Sequence, residues 1–354
     1  MSAALGSEGG SVRYLAIQAN KKISKIGLGT WQFGSSEWAY GEPYAEREAR
    51  AIVRRALDLG VTFFDTAGIY GAGRSERILG AALAEHRNEV FLATKVFPIV
   101  PAIRAVTRSA RASARRLGVA RMDLLQVQWP NPLVPVSTIM GGMRSLRDSG
   151  TIDEVGVSNY SVRQWRKAEK ALGSRILSNQ VPYSLVARAT EQELIPFATS
   201  RRRAIIAFSP LAHGLLSGRY HGSDRPADAL RASDPLFSPE GVERTRELQA
   251  VLREIADAHD ATSAQIALAW VIRAPMVAAI PGASSVRQLE DNVAAAEIRL
   301  SDDEYRALNS ASAQFRQAGA IPGSGRPSVS TLRHLAKGAL LVARTIRNDR
   351  GLRL

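Results

Sequence analysis

Eight short apolar runs, separated by amphipathic stretches, restrict the fold of this chain more than any other feature of its sequence. Most runs have about four residues, largely β-branched or aromatic, and such runs are typical of parallel strands buried on both faces. The runs are Ile26–Leu28, Val61–Phe64, Val90–Ala93, Leu124–Val127, Glu154–Val157, Ile176–Leu177, Ala204–Phe208 and Val277–Ile280.

The stretches between these runs have the periodicity of helices. In Ala45–Leu59 the apolar residues Ile52, Ala56 and Leu59 recur at i, i+4 and i+7, and the following Gly60 is a typical helix terminator. Val242–Ala258 repeats the pattern. Eight alternations of strand and helix over about 275 residues predict a (β/α)8 TIM barrel. An open doubly wound sheet is the alternative, but the Gly-x-Gly-x-x-Gly turn after its first strand is missing.

The predicted barrel occupies residues 21–319 and leaves a segment at each end. Residues 1–20 are expected to be flexible. Residues 211–241 are rich in Gly, Pro, Ser and Asp and are expected to cover a bound cofactor. Residues 320–354 comprise a Gly/Pro/Ser linker and a basic amphipathic tail. Three roles remain open for the tail: a disordered end, a segment packed over the barrel mouth, or a membrane-surface helix, which Gly338 disfavours.

Composition narrows the class of protein. The chain is 45% hydrophobic and has no cysteine, which excludes disulfides, thiol nucleophiles and zinc sites built on cysteine. No apolar run is long enough to span a bilayer, and the first residues are too polar for a signal peptide, so a cytoplasmic location is expected. Part of the +14 net charge lies in the tail, where seven basic residues accompany one acid from Arg326 onward. No nucleic-acid partner is therefore expected, and the oligomeric state stays open.

Polar residues follow the second and third runs, where a barrel carries its chemistry. Asp65 and Tyr70 follow one strand, and Lys95 follows the next. Because the carboxyl ends of barrel strands meet on one face, these side chains should converge. An ammonium beside a phenol stabilises the phenolate and is expected to lower its pKa, while a carboxylate keeps the ammonium charged. The trio predicts a tyrosine that gives a proton to a developing alkoxide, or takes one in reverse.

Six segments, in this order along the chain, resemble the aldo-keto reductases: FFDTAGIYGAGRSERILGAAL, LATKV, GVSNYS, SNQVPYS, AFSPLAHGLLSGRY and IPGASSVRQLEDN. The resemblance covers roughly residues 23–312. It implies a (β/α)8 barrel that transfers hydride between nicotinamide and a carbonyl without a metal. It also implies that Asp65, Tyr70 and Lys95 are members of a catalytic tetrad, and that Gln128 stands where the family has histidine.

The change at Gln128 leaves several functions open. Glutamine keeps a hydrogen-bond donor but has no proton to give near neutral pH. The chain could be an active carbonyl reductase, a catalytically attenuated nucleotide-binding sensor subunit, or an enzyme that oxidises a sugar alcohol or reduces an alkene. None of the five histidines is expected to replace the missing one, although His213 could approach the cofactor side.

The resemblance also implies the cofactor and substrate contacts. Ser158, Asn159 and Gln180 would hold the nicotinamide carboxamide, and Phe208 would stack on the ring. The remaining expected cofactor contacts are Gly29, Thr30, Asp65, Ser209, Leu211, Gly214, Leu216, Gly218, Gly282, Ser284, Gln288 and Asn292. NADP(H) is favoured, but NAD(H) is possible because Ser284 and Gln288 stand where relatives carry cations. Trp31 and Trp129 would wall a pocket for a small carbonyl or sugar-like substrate.

Overall fold

Eight parallel strands form the centre of the protein. The computed structural model describes residues 13–18, 21–34, 42–99, 101–220, 234–318, 339–340, 342–347 and 349. The strands pair in chain order from β3 to β10, and bridges from Ile26 to Ala279 and from Gly29 to Gly282 join the last strand to the first. They are β3 (Leu28–Gly29), β4 (Phe63–Asp65), β5 (Phe91–Val96), β6 (Met122–Val127), β7 (Ile152–Ser158), β8 (Ser178–Pro182), β9 (Ala204–Phe208) and β10 (Val277–Ala279). The predicted barrel is confirmed.

Seven of the eight apolar runs overlap strands, but the prediction for Ile176–Leu177 is wrong. That run lies just before β8, whose first three residues are Ser178, Asn179 and Gln180. All three residues are buried, and hydrogen bonds compensate the burial of the two amides: Asn179 Nδ2 donates to Tyr160 O at 2.7 Å and Gln180 Nε2 to Asp65 Oδ2 at 2.8 Å. A hydrophobicity pattern cannot detect a strand of this kind.

Helices surround the strands on the outside of the barrel. Helix α1 ends at Asp58, just before Gly60, whose φ is +77°. The single helix predicted over Val242–Ala258 is instead two helices, interrupted at Thr245, whose hydroxyl donates to Val242 O. The helices are α1 (Glu42–Asp58), α2 (Arg74–Leu83), α3 (Ile103–Leu117), α4 (Val136–Asp148), α5 (Val162–Leu172), α6 (Leu194–Ser200), α7 (Pro239–Arg244), α8 (Arg246–Ala258), α9 (Ser263–Arg273), α10 (Val286–Ala294) and α11 (Asp302–Ala311).

An antiparallel hairpin closes the amino-terminal end of the barrel. Its strands are β1 (Tyr14–Gln18) and β2 (Lys21–Ser24). Leu15, Ile17 and Ile23 pack onto the apolar side chains that fill the barrel interior. The expected flexibility of residues 1–20 is therefore wrong for β1, because its apolar face covers that interior. Residues 1–12 and 19–20 lie outside the described residues.

The described part of the tail contacts the barrel. Residues 320–338, the expected linker and the start of the tail, lie outside the described residues, as do residues 221–233 of the expected cofactor-covering loop. Within residues 339–349, Thr345 is only 6% exposed, whereas Leu340 is 70% exposed. Among the described residues, none of the helices has both the length and the apolar character needed to cross a membrane.

Candidate active site

Lys95 lies in the second half of β5 and hydrogen-bonds to two neighbouring elements. Its Nζ is 2.5 Å from Asp65 Oδ1, 2.8 Å from Thr66 O and 3.2 Å from Tyr70 Oη. An ammonium has three N–H donors, and each of these oxygens accepts one. The side chains of Lys95 and Asp65 are both 2% exposed. The structure thus brings the three expected catalytic residues together around one shielded ion pair.

Burial changes the protonation behaviour expected for Tyr70. It raises the pKa of the Tyr70 hydroxyl above its ordinary value, and Lys95 opposes this rise only in part. The expectation of a lowered pKa is wrong, because losing the water around a phenolate outweighs the attraction of an ammonium shared with Asp65. Burial lowers the pKa of Lys95, but Asp65, and Tyr70 in its phenolate form, outweigh burial and raise it overall. At neutral pH Tyr70 is therefore protonated and Lys95 is charged.

Two glutamines hold the Asp65 carboxylate. Gln180 Nε2 and Gln126 Nε2 lie 2.8 Å and 3.2 Å from Asp65 Oδ2, which leaves Oδ1 to Lys95. Burial raises the pKa of Asp65, and Lys95 and the two amides oppose that rise. Sequence reasoning missed Gln126. Its position two residues before Gln128, which puts the two side chains on the same side of an extended backbone, was the available signal.

Gln128 follows the last residue of β6 and is fixed by its backbone. Its N donates to Val96 O at 2.9 Å, and its O accepts from Asn159 Nδ2 at 3.2 Å. Its side-chain Oε1 is buried and has no hydrogen-bond partner among the residues that the structure describes. A buried polar atom without a partner is costly and rare in a native protein. Gln128 therefore carries a polar group that a ligand could satisfy.

The three residues expected to hold a carboxamide form one cluster at the ends of β7 and β8. Ser158 Oγ donates to Gln180 O at 2.8 Å, and Asn159 Nδ2 lies 3.0 Å from Ser158 Oγ. Asn159 adopts a left-handed backbone with φ of +62°, which asparagine tolerates better than most residues. The cluster is joined to the expected catalytic trio because Gln180 also binds Asp65.

Tyr70 lies on a turn that packs directly against the short 3₁₀ helix Trp31–Gly34. Gly71 has φ of +54°, and a Cβ there would overlap the Gly34 carbonyl, so only glycine fits. This approach brings the Trp31 and Tyr70 rings to 6.3 Å between centroids. Trp31 thus borders the Tyr70 ring, as a pocket wall would, and Trp129 is partly exposed directly after Gln128.

The segment after β9 turns sharply several times. Five of its residues have positive φ between 49° and 94°: Ser209, Ala212, His213, Gly214 and Gly218. Phe208 packs against the barrel-interior core, and Leu211 packs against the outer core. Leu216 is completely buried, so its side chain cannot reach a cofactor and only its backbone could.

His213 joins the two described ends of the loop that was expected to cover the cofactor. Its Nε2 is 3.1 Å from Ser209 Oγ, and its Nδ1 is 3.3 Å from Asp234 Oδ2. Its ring also lies edge-on to Trp31, with centroids 6.4 Å apart. The His213 side chain holds the pKa of Asp234 below its ordinary value. The partner Asp234 is 21 residues away along the chain and was not foreseen.

The residues expected at the adenine end lie together after β10. Asn292 Nδ2 donates to Gly282 O at 3.2 Å, while Ser284 donates to Gln288 Oε1 through both its N and its Oγ. Arg287 is exposed at the start of α10. The polar groups of Ser284 and Gln288 therefore bind one another, and neither residue brings a positive charge to the expected adenine end.

The first barrel strand lies beside the segment that follows β10 and beside the end of β4. Gly29 N donates to Pro281 O at 3.1 Å, which brings β3 alongside the segment after β10. Thr30 is completely buried, and its hydroxyl hydrogen-bonds to Asp65 O and Ser75 Oγ. The Thr30 side chain thus supports the end of β4, and the expectation that Thr30 flanks a cofactor stays a prediction.

The fold and this site define an oxidoreductase barrel, and comparisons with known proteins agree. The family model "Aldo/keto reductase family" matches residues 25–313. The chain is 54% identical over 305 residues to an uncharacterized oxidoreductase of Mycobacterium tuberculosis, covering 86% of this chain and 94% of that protein. The chain belongs to the aldo/keto reductase family.

Two solved structures are similar along most of the chain. A glycerol dehydrogenase from Gluconobacter oxydans has 27% identity and a TM-score of 0.78, over 89% of this chain and 99% of that one. An aldo/keto reductase from Klebsiella pneumoniae, in complex with NADP and acetate, has 29% identity and a TM-score of 0.68, over 85% and 94% of the two chains.

Proposed function

We propose that this protein transfers hydride between NADP(H) and an aldehyde or ketone, or the corresponding alcohol, with Tyr70 as the proton donor. One observation carries the proposal: the Lys95 ammonium contacts Asp65 Oδ1, Thr66 O and Tyr70 Oη at once. A phenol held against a buried, charged ammonium can give up its proton to an alkoxide and be stabilised as phenolate.

The residues at the strand ends fit a nicotinamide cofactor. Ser158, Asn159 and Gln180 offer amide and hydroxyl groups in one cluster beside Asp65, and the Oε1 of Gln128 could accept a hydrogen bond from a ligand. When bound, the reduced nicotinamide supplies a hydride to the carbonyl carbon. The complex of the Klebsiella pneumoniae relative with NADP supports the same choice of cofactor here.

The chain's own residues divide the remaining work. Tyr70 gives its proton to the carbonyl oxygen as that oxygen becomes an alkoxide. Lys95 stabilises the phenolate left behind, and Asp65 keeps Lys95 charged and aimed. Gln128 orients the carbonyl by donating a hydrogen bond from its side-chain amide, whose nitrogen and oxygen ends are alike in shape and can exchange places. This amide does not titrate, so it gives no proton.

The pH profile tests this division of roles. Carbonyl reduction should be flat from about pH 5 to 8 and should fall only as pH rises past the ordinary phenol value of about 10, because a raised pKa keeps Tyr70 protonated. No change is expected near pH 6.5, since Gln128 replaces a histidine. Steady-state rates in NADPH across the pH range would measure both features.

Variants of Gln128 give the matched controls. Gln128→Ala should lower turnover, because the carbonyl oxygen loses a hydrogen-bond donor as it becomes an oxyanion. The expected loss of transition-state stabilisation is about 1–3 kcal/mol. Gln128→His should retain activity and add a limb near pH 6.5. The contrary outcome is that the unaltered protein, Gln128→Ala and Gln128→His all bind NADPH, measured as fluorescence quenching, while none of them reduces any carbonyl. In that case the protein is a nucleotide sensor and the proposed function fails.

Cofactor preference is a separate prediction. Because Ser284 and Gln288 bind one another where phosphate-gripping cations would stand, NADP should be preferred over NAD by less than about 100-fold, two steps of about 1.4 kcal/mol. Ser284→Arg should widen the preference for NADP over NAD. Arg287→Ala, which removes the neighbouring positive charge, serves as the control. Dissociation constants of the unaltered protein that differ by several more decades would contradict the prediction.

A further inference from the structure

The described tail residues contact the barrel beside the turn that carries Tyr70. Thr345 is buried, and its Oγ1 lies 3.3 Å from Gly68 O. Gly68 precedes Tyr70 by two positions, and its own N–H donates to Lys95 O at 3.3 Å. The start of the Tyr70 turn is therefore tied to the tail on one side and to β5 on the other.

Asp349 forms the second contact between the tail and the barrel. Its two carboxylate oxygens lie 2.8 Å from Arg77 Nη2 and 2.6 Å from Arg116 Nη1. Arg116 also pairs through Nε with Glu76, which is completely buried. Glu76 Oε1 in turn accepts from Thr94 Oγ1 at 2.6 Å, and Thr94 precedes Lys95. An unbroken chain of ionic and hydrogen-bonded contacts thus runs from the tail to β5.

Arg116 fills the space behind the Tyr70 turn. A Cβ at Gly68 would lie 3.1 Å from Arg116 Nη2, and a Cβ at Gly73 would lie 2.6 Å from Arg116 Cδ. The arginine side chain therefore packs against the turn on both sides of Tyr70. Because Asp349 binds this arginine, movement of the tail would disturb the surface on which the turn rests.

The charge of the tail makes Asp349 decisive for this docking. From Arg326 onward the chain has seven basic residues, and Asp349 is the single acid. It meets two arginines of α2 and α3 at the site of contact. Without that carboxylate, a basic segment would face basic helices and be repelled.

We propose that Thr345 and Asp349 are positioning residues, through which the tail holds the Tyr70 turn against Lys95. The inference rests on the proposed function, because it gives the tail an effect on proton transfer from Tyr70. A small displacement of the phenol would lengthen its contact with Lys95, and misplacements of about 1 Å can lower rates by about 10²-fold.

Point variants of the full chain test the proposal through kinetics. Asp349→Ala and Thr345→Val should each lower kcat for carbonyl reduction by about tenfold. KM for NADPH should stay within about twofold, since Gly68, Arg77 and Arg116, which Thr345 and Asp349 contact, are not among the expected cofactor residues. Asp349→Glu should restore most of kcat. Arg347→Ala, at an exposed tail position, is the matched control and should leave kcat unchanged.

Docking itself can be measured independently of activity. The chain has no cysteine, so Leu340→Cys, at a 70% exposed position, allows a single fluorescent label on the tail. Label anisotropy should fall when Asp349→Ala is added and should stay high with Arg347→Ala. Arg77→Ala should lower kcat less than Asp349→Ala, because the pair between Asp349 and Arg116 remains. The double variant should be no slower than Asp349→Ala alone, since both single changes remove the pair between Asp349 and Arg77.

The outcomes separate this proposal from the proposed function. If the unaltered protein turns over but Asp349→Ala keeps full kcat while its label becomes mobile, the positioning role is overturned and the reductase stands. A loss of kcat that Asp349→Glu does not restore would also overturn it. No turnover in the unaltered protein would overturn both.

Discussion

Replacing Tyr70 by phenylalanine should lower carbonyl reduction by at least about 10²-fold while NADPH affinity stays within a few-fold. The Tyr70 hydroxyl, 3.2 Å from Lys95 Nζ, is the only hydroxyl bonded to that ammonium in the part of the chain that the structure describes. Phenylalanine keeps the ring that packs beside Trp31. Single-turnover absorbance of NADPH with a panel of carbonyls would measure the rate. Fluorescence titration would measure the binding.

Another tyrosine in the chain provides the matched control for this loss. Tyr14 lies on the hairpin strand β1, away from the candidate active site. Tyr14→Phe removes a hydroxyl that donates to Gly60 O at 2.9 Å. It should leave turnover intact. If Tyr70→Phe turned over like the unaltered protein, Tyr70 would not be the proton donor and the mechanism would need another acid.

Replacing Lys95 by methionine should affect both stability and turnover. The change leaves the Asp65 carboxylate buried and without its cation, and breaking a buried ion pair in this way costs about 3–5 kcal/mol of unfolding free energy. Turnover should fall to the level of Tyr70→Phe or lower, because the phenolate loses its stabilising charge. Urea unfolding, with rates at saturating NADPH, would measure the two effects.

The stability loss in Lys95→Met should depend on pH. With the cation gone, burial raises the pKa of Asp65 further above its unfolded value. The folded state then binds a proton more readily than the unfolded state, so stability falls as pH rises. The loss should therefore be larger at pH 8 than at pH 5, and adding Asp65→Asn should recover part of it.

Lys25 is the matched control for this variant. It is also buried, but its Nζ donates to Ile272 O and Ala274 O and has no carboxylate partner among the described residues. Burial, with Arg13 and Arg299 nearby, lowers its pKa to about 8. Lys25→Met should cost less than Lys95→Met because it strands no charge. Equal losses in both variants would contradict a special role for the Asp65–Lys95 pair.

Local pattern was enough to predict the barrel and the convergence of Asp65, Tyr70 and Lys95. Strand and helix periodicities are properties of short windows, and parallel strands that alternate with helices bring their carboxyl ends to one face. The same reasoning failed at β8 and at β1. There the burial of polar or terminal segments depends on hydrogen bonds and apolar surfaces supplied by distant parts of the chain.

The sequence by itself determined which residue types stand at the ends of the strands, including the change to Gln128. Only the tertiary structure decided which residues become partners. Gln180 binds Asp65, which is 115 positions away along the chain, and Asp349 binds Arg116, which is 233 positions away. It also decided that the pKa of Tyr70 rises rather than falls, because the balance between burial and Lys95 depends on how much water the closed barrel excludes. Such contacts and such exclusion arise only when the barrel closes, since no local window of sequence contains both partners.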